Sequence, residues 1–417
     1  MMDTIVLRHG LLIDCTGREP QENMAVVVDG GRIADVVSGG RVTVPTGATV
    51  IDCRGHTLMP GLTDAHVHIC AVDVNILEQH RLYPPSLLAA KALRTLEDTL
   101  QQGYTTVRDA GGADAGFRMA VEQGVVAGPR LLVAGSPITQ TGGHADFRRP
   151  TEAGEPIACC VGMTGAVCDG PDEVRKAVRE QLRRGVDHIK IMAGGGAMSP
   201  ADEIDTTQFT IPEIQAAVEE ARAVGKYVMA HLYSAASVSN AIQAGVHSLE
   251  HGNLMTEESA RMIREAGAFL VPTLTTYEML AEEGSRYGVP EANIRKIHVA
   301  RQRSFEALKL AHRAGVKLGS GSDLLGPMQQ YKARELALKA QVLSPMEALL
   351  SATKVNAELF GLERDIGTVE PGKSADLLVV RGNPLQDLTL LQEYQHNILL
   401  IMKEGRIYKD LLGIVSG

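Results

Sequence analysis

The sequence predicts an α/β fold, a (β/α)8 TIM barrel accompanied by a small discontinuous β-sandwich domain built from both chain ends. Two observations lead to this prediction. Short β-rich runs broken by turn residues occupy both ends of the chain, whereas the middle alternates short apolar runs with amphipathic segments of helical length. A chain of 417 residues also exceeds one ordinary core. We expect residues 1–58 and 362–417 to form the small domain and residues 59–361 to form the barrel.

The two ends of the chain carry the predicted small domain. The first 55 residues contain IVLRHGLLID, MAVVVDGGRIADVV and TVIDCRG, which we expect to form an antiparallel sheet. After residue 361 the β-rich character returns in IGTVEPGKSADLLVVRG and NILLIMKEGRIYKD, with no helical period between them. We therefore expect the C-terminus to rejoin the N-terminal sheet.

The middle of the chain contains eight candidate strands, the number that closes a (β/α)8 barrel. They are GLTDAHVH, TTVRDAG, RLLVAG, DHIKIMA, YVMAHLY, HSLEHG, AFLVPT and VKLGSGSD. The segments between them, such as TIPEIQAAVEEARAVG and TEESARMIREAG, have apolar residues at helical spacing and mostly end at glycine. Each is expected to return the chain to the lower face of the barrel.

Residues able to bind a metal ion stand at the ends of several predicted strands, on the face where a barrel carries its active site. His66 and His68 end the first strand at positions i and i+2, and the alternation of a strand directs both imidazoles to the same side. His231 ends the fifth strand, His251 ends the sixth, and Asp323 follows GSGS at the eighth. Neutral imidazoles and carboxylates are common metal ligands.

Lys190 lies inside the apolar run HIKIM of the fourth predicted strand. A bare buried ammonium would cost several kcal/mol or lose its proton, so this lysine needs a partner or a chemical change. A carbamate formed with carbon dioxide would make it a carboxylate-like anion able to bridge two metal ions. A salt bridge to a neighbour is the alternative.

Taken singly, each of these histidines could be a hydrogen-bonded structural residue. Together, ligand-type residues at strands one, four, five, six and eight are hard to explain by chance. We therefore predict a site for two divalent ions of zinc type, with open positions for water. Its residues are His66, His68, Lys190, His231, His251 and Asp323.

The ordered motifs LMPGLTDAHVH, HIKIMA, HLY, LEHG, GSD and GTVEPGKSADLLVV resemble the metal-dependent amidohydrolase superfamily in its binuclear, lysine-carbamate form. The resemblance covers essentially the whole chain. It implies that His66, His68 and Asp323 hold one metal ion, that His231 and His251 hold the second, and that carbamylated Lys190 bridges them. One-metal deaminases and imidazolone-ring hydrolases lack this lysine, which disfavours ring deamination.

A mechanism follows from such a metal pair. A water between two divalent cations has its pKa lowered toward neutrality and attacks a carbonyl polarised by one of them. Asp323 is the candidate catalytic residue, because it can take the proton of this water and then deliver it to the leaving nitrogen.

Two further residues are predicted to bind the substrate. His144 lies in TQTGGH after the third strand, and Tyr233 lies two residues beyond His231 on the same side. The branch that this chain resembles includes Xaa-Pro dipeptidases, related carboxypeptidases and an ochratoxin-hydrolysing amidase, in which the matching His and Tyr contact the scissile carbonyl or the substrate carboxylate. The alternatives are an exposed loop residue for His144 and a packed ring with a satisfied hydroxyl for Tyr233.

Loop segments give weaker indications. Backbone amides of AGGGAMSP could line a substrate carboxylate, and Arg148 and Arg149 could pair with one or could be surface charges. The glycine-rich CCVGMTGAVCDG suggests a mobile cover over the site, and its vicinal pair Cys159 and Cys160 is expected to be free thiols rather than a redox centre.

The predicted function is hydrolysis of the amide bond of a dipeptide or N-acyl amino acid, with Xaa-Pro favoured. Lactone or ester hydrolysis, or another amidase activity on the same centre, is the competing hypothesis, and a non-catalytic scaffold is a remote one. The net charge of −9 without a basic block argues against nucleic acid or anionic membranes as partners. Because no apolar run reaches the roughly 20 residues of a membrane span, we expect a cytoplasmic protein. The resemblance implies a homo-oligomer.

Overall fold

A computed structural model describes residues 4–154 and 161–414. Its strands, in chain order, are β1 (Ile5–Leu12), β2 (Gln21–Asp29), β3 (Arg32–Ser38), β4 (Thr49–Asp52), β5 (His56–Pro60), β6 (Leu62–Val67), β7 (Tyr104–Asp109), β8 (Arg130–Leu132), β9 (Ile138–Thr139), β10 (Ala166–Val167), β11 (Ile189–Met192), β12 (Val228–Ser234), β13 (Ser248–Leu254), β14 (Phe269–Val271), β15 (Lys317–Leu318), β16 (Leu377–Arg381), β17 (Ile398–Lys403) and β18 (Arg406–Asp410).

The α-helices in the same ranges are α1 (Ile76–Leu82), α2 (Pro85–Gln101), α3 (Ala115–Glu122), α4 (Gly170–Arg183), α5 (Ile211–Ala223), α6 (Ala235–Ala244), α7 (Glu257–Ala266), α8 (Leu274–Glu283), α9 (Glu291–Ala314), α10 (Arg334–Lys339), α11 (Pro345–Ser351), α12 (Lys354–Phe360) and α13 (Tyr394–Asn397). Short 3₁₀ helices cover Gly284–Tyr287, Gly326–Tyr331 and Leu388–Leu391.

Strands from both chain ends pair in one sheet, in the order β18-β17-β16-β5-β1-β2-β3, with β4 also pairing with β1. The C-terminal strand β16 runs antiparallel to β5. The expectation of a purely antiparallel N-terminal sheet is wrong, because β1 pairs with β4 and with β5 in parallel. Residues 39–48 carry the chain past the β2–β3 hairpin to the other edge of β1, and such a crossover brings the next strand back in the same direction.

The eight strands predicted for the middle of the chain are all present, as β6, β7, β8 and β11 to β15. They pair in parallel within two sheets, β6-β7-β8 and β10-β9-β11-β12-β13-β14-β15. Backbone hydrogen bonds join the edges of these sheets. The N–H of Ala65 donates to the carbonyl of Ser320 at 2.8 Å, and the N–H of Asp187 donates to that of Val133 at 2.8 Å.

The helices cover the parallel strands with their apolar faces. In α4, Val174 and Val178 are fully buried one turn apart, in the same apolar cluster as Ile189 of β11. Each such side chain contributes roughly 1.5–3 kcal/mol by leaving water. The helix ends follow the sequence signals: α7 begins with a capping box at Thr256 and ends at Gly267, whose φ of 66° suits glycine.

In the two described ranges, no helix combines the length and the apolar composition needed to cross a membrane.

Candidate active site

All eight residues predicted for the site line one pocket, which encloses about 650 Å³ including its mouth. They come from five strands or strand ends and from one loop, and they are His66, His68, His144, Lys190, His231, Tyr233, His251 and Asp323. The pocket lies at the C-terminal ends of the parallel strands, as expected for a barrel-type α/β fold.

Two imidazoles and one carboxylate converge at the end of β6. The Nε2 atoms of His66 and His68 each lie 3.4 Å from Oδ1 of Asp323. Ligand atoms about 2.1 Å from a zinc ion and at a tetrahedral angle are about 3.4 Å apart, so this spacing fits a shared cation. Ligand atoms of His66, His251 and Asp323 also lie within 4.8 Å of one another.

The second ring nitrogen of His66 is held by a buried ion pair. Its Nδ1 lies 2.7 Å from Oε2 of Glu250, whose Oε1 accepts a hydrogen bond from Arg108 at 2.9 Å. Both side chains of this ion pair are fully buried. A carboxylate partner of this kind fixes the ring orientation and leaves Nε2 for a metal ion.

The other histidines follow the same pattern. His68 Nδ1 lies 2.8 Å from the carbonyl oxygen of Gly111, and His231 Nε2 lies 3.1 Å from that of Gly195. His251 Nδ1 lies 2.7 Å from the hydroxyl of Thr273. One nitrogen of each ring is therefore bound to the protein, and the opposite nitrogen remains for a ligand bond.

The ionisation of the cluster suits a cation. Burial lowers the pKa of His66, His231 and His251, in His251 to about 4, so these rings are neutral. Burial alone would raise the pKa of Asp323, but the neighbouring imidazoles, among them His66 and the hydrogen-bonded His68, outweigh it and hold that pKa below its usual value. Burial alone would lower the pKa of His68, but its hydrogen bond with Asp323 outweighs it and raises that pKa. An ionised carboxylate beside three neutral rings suits zinc, and a cation would replace the proton that His68 shares with Asp323.

Lys190 lies on β11 with 1% of its surface exposed. Burial lowers the pKa of its ammonium to about 8, although the carboxylates of Glu250 and Asp323 act in the opposite direction. About a tenth of the amine is therefore neutral at pH 7, far more than for an exposed lysine, and only the neutral amine can react with carbon dioxide.

Backbone conformation brings the ligands together where strand alternation would not. Glu250 and His251 are neighbours, which in a regular strand point to opposite faces. His251 has a φ of 75°, and both residues reach His66, with the rings of His66 and His251 5.1 Å apart. Asp323 also adopts a positive φ, of 51°. Such conformations cost about 1–3 kcal/mol each and cluster at functional sites.

His144 stands beside His231, with their rings stacked 4.1 Å apart. Its Nδ1 lies 2.9 Å from the hydroxyl of Ser199, which donates its proton to Asp202. Because a hydroxyl has one proton, Ser199 must accept from His144 Nδ1–H. The interpretation of His144 as an exposed loop residue is therefore wrong.

The glycine run at 194–196 serves close packing. A Cβ on Gly196 would lie 1.7 Å from Nδ1 of His144, so only glycine fits beneath that ring. The amides of the run are used within the protein: Gly195 N–H donates to Thr206 at 3.1 Å and Gly196 N–H donates to Asp202 at 3.1 Å. The hypothesis that these two amides line a substrate carboxylate is wrong.

Tyr233 combines both interpretations made from the sequence. Its ring lines the pocket and stacks on His251 at 5.3 Å, and its hydroxyl oxygen accepts a hydrogen bond from Tyr277 at 3.0 Å. Tyr277, on α8, also lines the pocket. Nothing in the sequence singles out Tyr277, because a tyrosine in an amphipathic helix is typical of ordinary core packing.

The rest of the wall is mostly apolar. It includes Ile76, Phe147, Met163, Met192, Met198, Leu280 and Leu325. The two arginines considered for a substrate carboxylate lie elsewhere: Arg148 pairs with Asp146 at 2.6 Å, and Arg149 pairs with Glu78 at 2.5 Å. Such a wall suits an apolar group on the substrate.

The predicted cover segment is described only in part. Cys159 and Cys160 lie outside the described residues, and the redox alternative is therefore not tested. Met163 of the same segment lines the pocket, and Ala166 and Val167 form β10 beside β9.

Comparisons with known proteins agree with this geometry. The sequence profile of the amidohydrolase family matches residues 57–408. Ochratoxinase from Aspergillus niger is 33% identical over 423 aligned positions, which cover 97% of this chain and 86% of ochratoxinase.

Two solved structures are similar over 98% of this chain and 100% of their own. A prolidase complexed with N-methylphosphonate-L-proline is 42% identical, with a TM-score of 0.94. A Xaa-Pro dipeptidase with methionine in its active site is 32% identical, with a TM-score of 0.89. Since the family profile spans most of the sequence and the fold is shared throughout, this chain belongs to the amidohydrolase family.

Proposed function

We propose that this protein is a binuclear metal amidohydrolase that cleaves the amide bond of a dipeptide or an N-acyl amino acid, with Xaa-Pro dipeptides favoured. One observation supports this most strongly: six ligand-type side chains and two substrate-type side chains surround a single pocket. The similar prolidase and Xaa-Pro dipeptidase favour the peptide substrate.

The ligand set fits two divalent cations, for which we propose zinc. His66, His68 and Asp323 would hold one, and His231 and His251 the other, with Lys190 as a bridging carbamate. The carbamate forms when the neutral lysine nitrogen adds to carbon dioxide and loses one proton. When bound, the cations lower the pKa of a water and polarise the substrate carbonyl.

The residues of the chain then carry the proton and position the substrate. Asp323 accepts the proton of the attacking water and delivers it to the leaving nitrogen. Tyr233 and His144 face the reacting group, and the apolar wall excludes water from it. The apolar wall also favours substrates with uncharged side chains.

A second candidate is an amidase that acts on a bulky acyl group attached to an amino acid. Two observations favour it: the identity of 33% to ochratoxinase along almost the whole chain, and the wall of methionine, phenylalanine and leucine side chains. Both candidates use the same metal centre and differ only in the acyl group.

A substrate panel with metal analysis tests the proposal. Xaa-Pro and Xaa-Xaa dipeptides, N-acetyl amino acids, N-aroyl phenylalanines and lactones are assayed with the zinc-loaded protein. We expect about two metal ions per chain and the highest kcat/KM on Xaa-Pro dipeptides. Turnover of N-aroyl phenylalanines alone selects the second candidate, and turnover of lactones alone contradicts both.

We also propose that the two parallel sheets close into one (β/α)8 barrel, and that residues 1–58 and 362–417 form the separate small domain. Homo-oligomeric assembly and a cytoplasmic location stay predictions from the sequence. Light scattering tests the first, and cell fractionation tests the second.

A further inference from the structure

Two hydrogen bonds flank the rings of the candidate ligand His251 and of Tyr233. His251 Nδ1 lies 2.7 Å from Oγ1 of Thr273, and Tyr277 donates its hydroxyl proton to Oη of Tyr233 at 3.0 Å. Thr273 directly precedes α8, the helix that carries Tyr277.

The direction of these bonds follows from proton counting. A hydroxyl group has one proton to give. Tyr277 gives its proton to Tyr233, so the proton of Tyr233 is not shared with Tyr277. The oxygen of Tyr233 therefore accepts a hydrogen bond from the protein side, and its own proton is left for the pocket.

Packing holds the two tyrosines in this arrangement. Tyr277 is 2% exposed and lies in the first turn of α8. Tyr233 is 3% exposed, stacks on the ring of His251 and contacts that of His231 edge-on at 5.0 Å. A phenol ring held on several sides keeps its hydroxyl in one place, as a preorganised hydrogen-bond donor requires.

We propose that Tyr277 is a positioning residue that makes the Tyr233 hydroxyl an obligate hydrogen-bond donor toward the oxygen of the scissile carbonyl. This inference rests on the proposed amidohydrolase function. A Tyr233 fixed in this way offers its proton to a substrate oxygen.

The consequence concerns the transition state. Negative charge grows on the carbonyl oxygen as water adds, so a donor aimed at that oxygen stabilises the transition state more than the substrate. Loss of one such donor typically lowers kcat about 10²- to 10³-fold. Tyr277 contributes indirectly, by keeping the proton of Tyr233 directed at the pocket.

A double-mutant cycle on kcat tests this coupling. We expect Tyr233→Phe to lower kcat about 100-fold or more on the best amide substrate. Tyr277→Phe should lower kcat about 10-fold with KM changed less than about twofold, since the bond matters mainly in the transition state. The double variant should equal Tyr233→Phe, because Tyr277 has nothing to act on once the Tyr233 hydroxyl is gone.

Tyr104→Phe is the matched control, because it also removes a buried tyrosine hydroxyl but lies on β7 outside the pocket lining. It should keep native kcat. All variants are compared for melting temperature and metal content, which we expect to stay native. If the Tyr277→Phe loss multiplies with that of Tyr233→Phe, or appears in KM alone, the proposal is wrong.

Neutron diffraction of the deuterated native protein gives a second test that does not depend on activity. The deuteron of Tyr277 should point to Oη of Tyr233, and the deuteron of Tyr233 should point into the pocket. A Tyr233 deuteron directed at Tyr277 would overturn the proposal. If the native enzyme hydrolyses no amide, the proposed function fails, whereas the neutron map still decides the direction of the bond.

Discussion

The pocket has two halves whose residues are held in different ways. The ligand half consists of His66, His68, Lys190, His231, His251 and Asp323, and the substrate half consists of His144, Tyr233, Phe147 and Met198. Side chains of the ligand half stand on parallel strands or in the segments that follow them, and each imidazole has a protein partner on one nitrogen. The ligand half is thus fixed mainly by the parallel strands themselves.

Apart from Tyr233, which stands on β12, the substrate half depends on loop packing instead. The loop at 193–209 carries Met198 and contacts His144, and α9 holds it in place. Lys296 Nζ donates to the carbonyls of Gly196, Ser199 and Asp202 at 2.9–3.0 Å. Changes in the ligand half should therefore abolish the chemistry, whereas changes in the substrate half should alter rate and selectivity while leaving the metal ions bound.

The largest effect is expected from Lys190→Ala. Loss of the proposed bridging carbamate should lower kcat about 10³-fold or more, since metal catalysis supplies several kcal/mol and each 1.36 kcal/mol is a factor of ten. Steady-state kinetics with and without added propionate measures it, and partial rescue by propionate indicates a carboxylate-like role. Rescue by propylamine but not propionate would show that Lys190 acts as an ammonium.

Glu250→Gln tests whether the hydrogen bond between Glu250 and His66 Nδ1 strengthens metal binding by the ligand half. It leaves the buried charge of Arg108 uncompensated, which should destabilise the fold by about 3–5 kcal/mol. It also weakens the hydrogen bond that orients the ring of His66, and loss of such a partner lowers metal affinity about 10- to 100-fold. Chemical unfolding and competition with a metal chelator measure the two effects.

The double variant Arg108→Met with Glu250→Gln separates these contributions. Stability should recover in part, because the unpaired charge is gone, whereas the metal affinity should stay reduced. Native metal affinity in either variant would contradict the proposed support of His66 by Glu250.

Gly196→Ala probes the substrate half. The new Cβ would lie 1.7 Å from Nδ1 of His144, so the ring must move. Misplacement of a positioning group by about 1 Å can cost about 100-fold, and we expect kcat/KM to fall about 10- to 100-fold with native metal content. Gly40→Ala is the control, since nothing lies within 4 Å of its Cβ position. Loss of metal from Gly196→Ala would show that the two halves are not independent.

The difference between the halves also explains which parts of the site could be predicted from the sequence and which could not. The spacing of apolar residues predicts the eight parallel strands, and all eight are present. The positions of ligand-type residues at the strand ends predict the ligand half, and these residues line one pocket. Periodicity could not predict that Glu250 and His251 both face His66, because this depends on the positive φ of His251. The partners Ser199 and Tyr277 come from distant segments, and only tertiary packing shows that they meet His144 and Tyr233.

The smallest effect is expected from Arg149→Ala, at the edge of the substrate half. The guanidinium pairs with Glu78 at 2.5 Å, and their side chains are 52% and 31% exposed. Exposed ion pairs contribute little to stability, so the melting temperature should hardly change. Arg149 is absent from the pocket lining, and KM for substrates with a free carboxylate should therefore stay within about twofold of native. A tenfold rise in KM for these substrates, with no change for their amidated forms, would return Arg149 to the carboxylate-binding role that its sequence position suggested. The substrate half would then extend beyond the pocket wall, into the loop that carries Arg149.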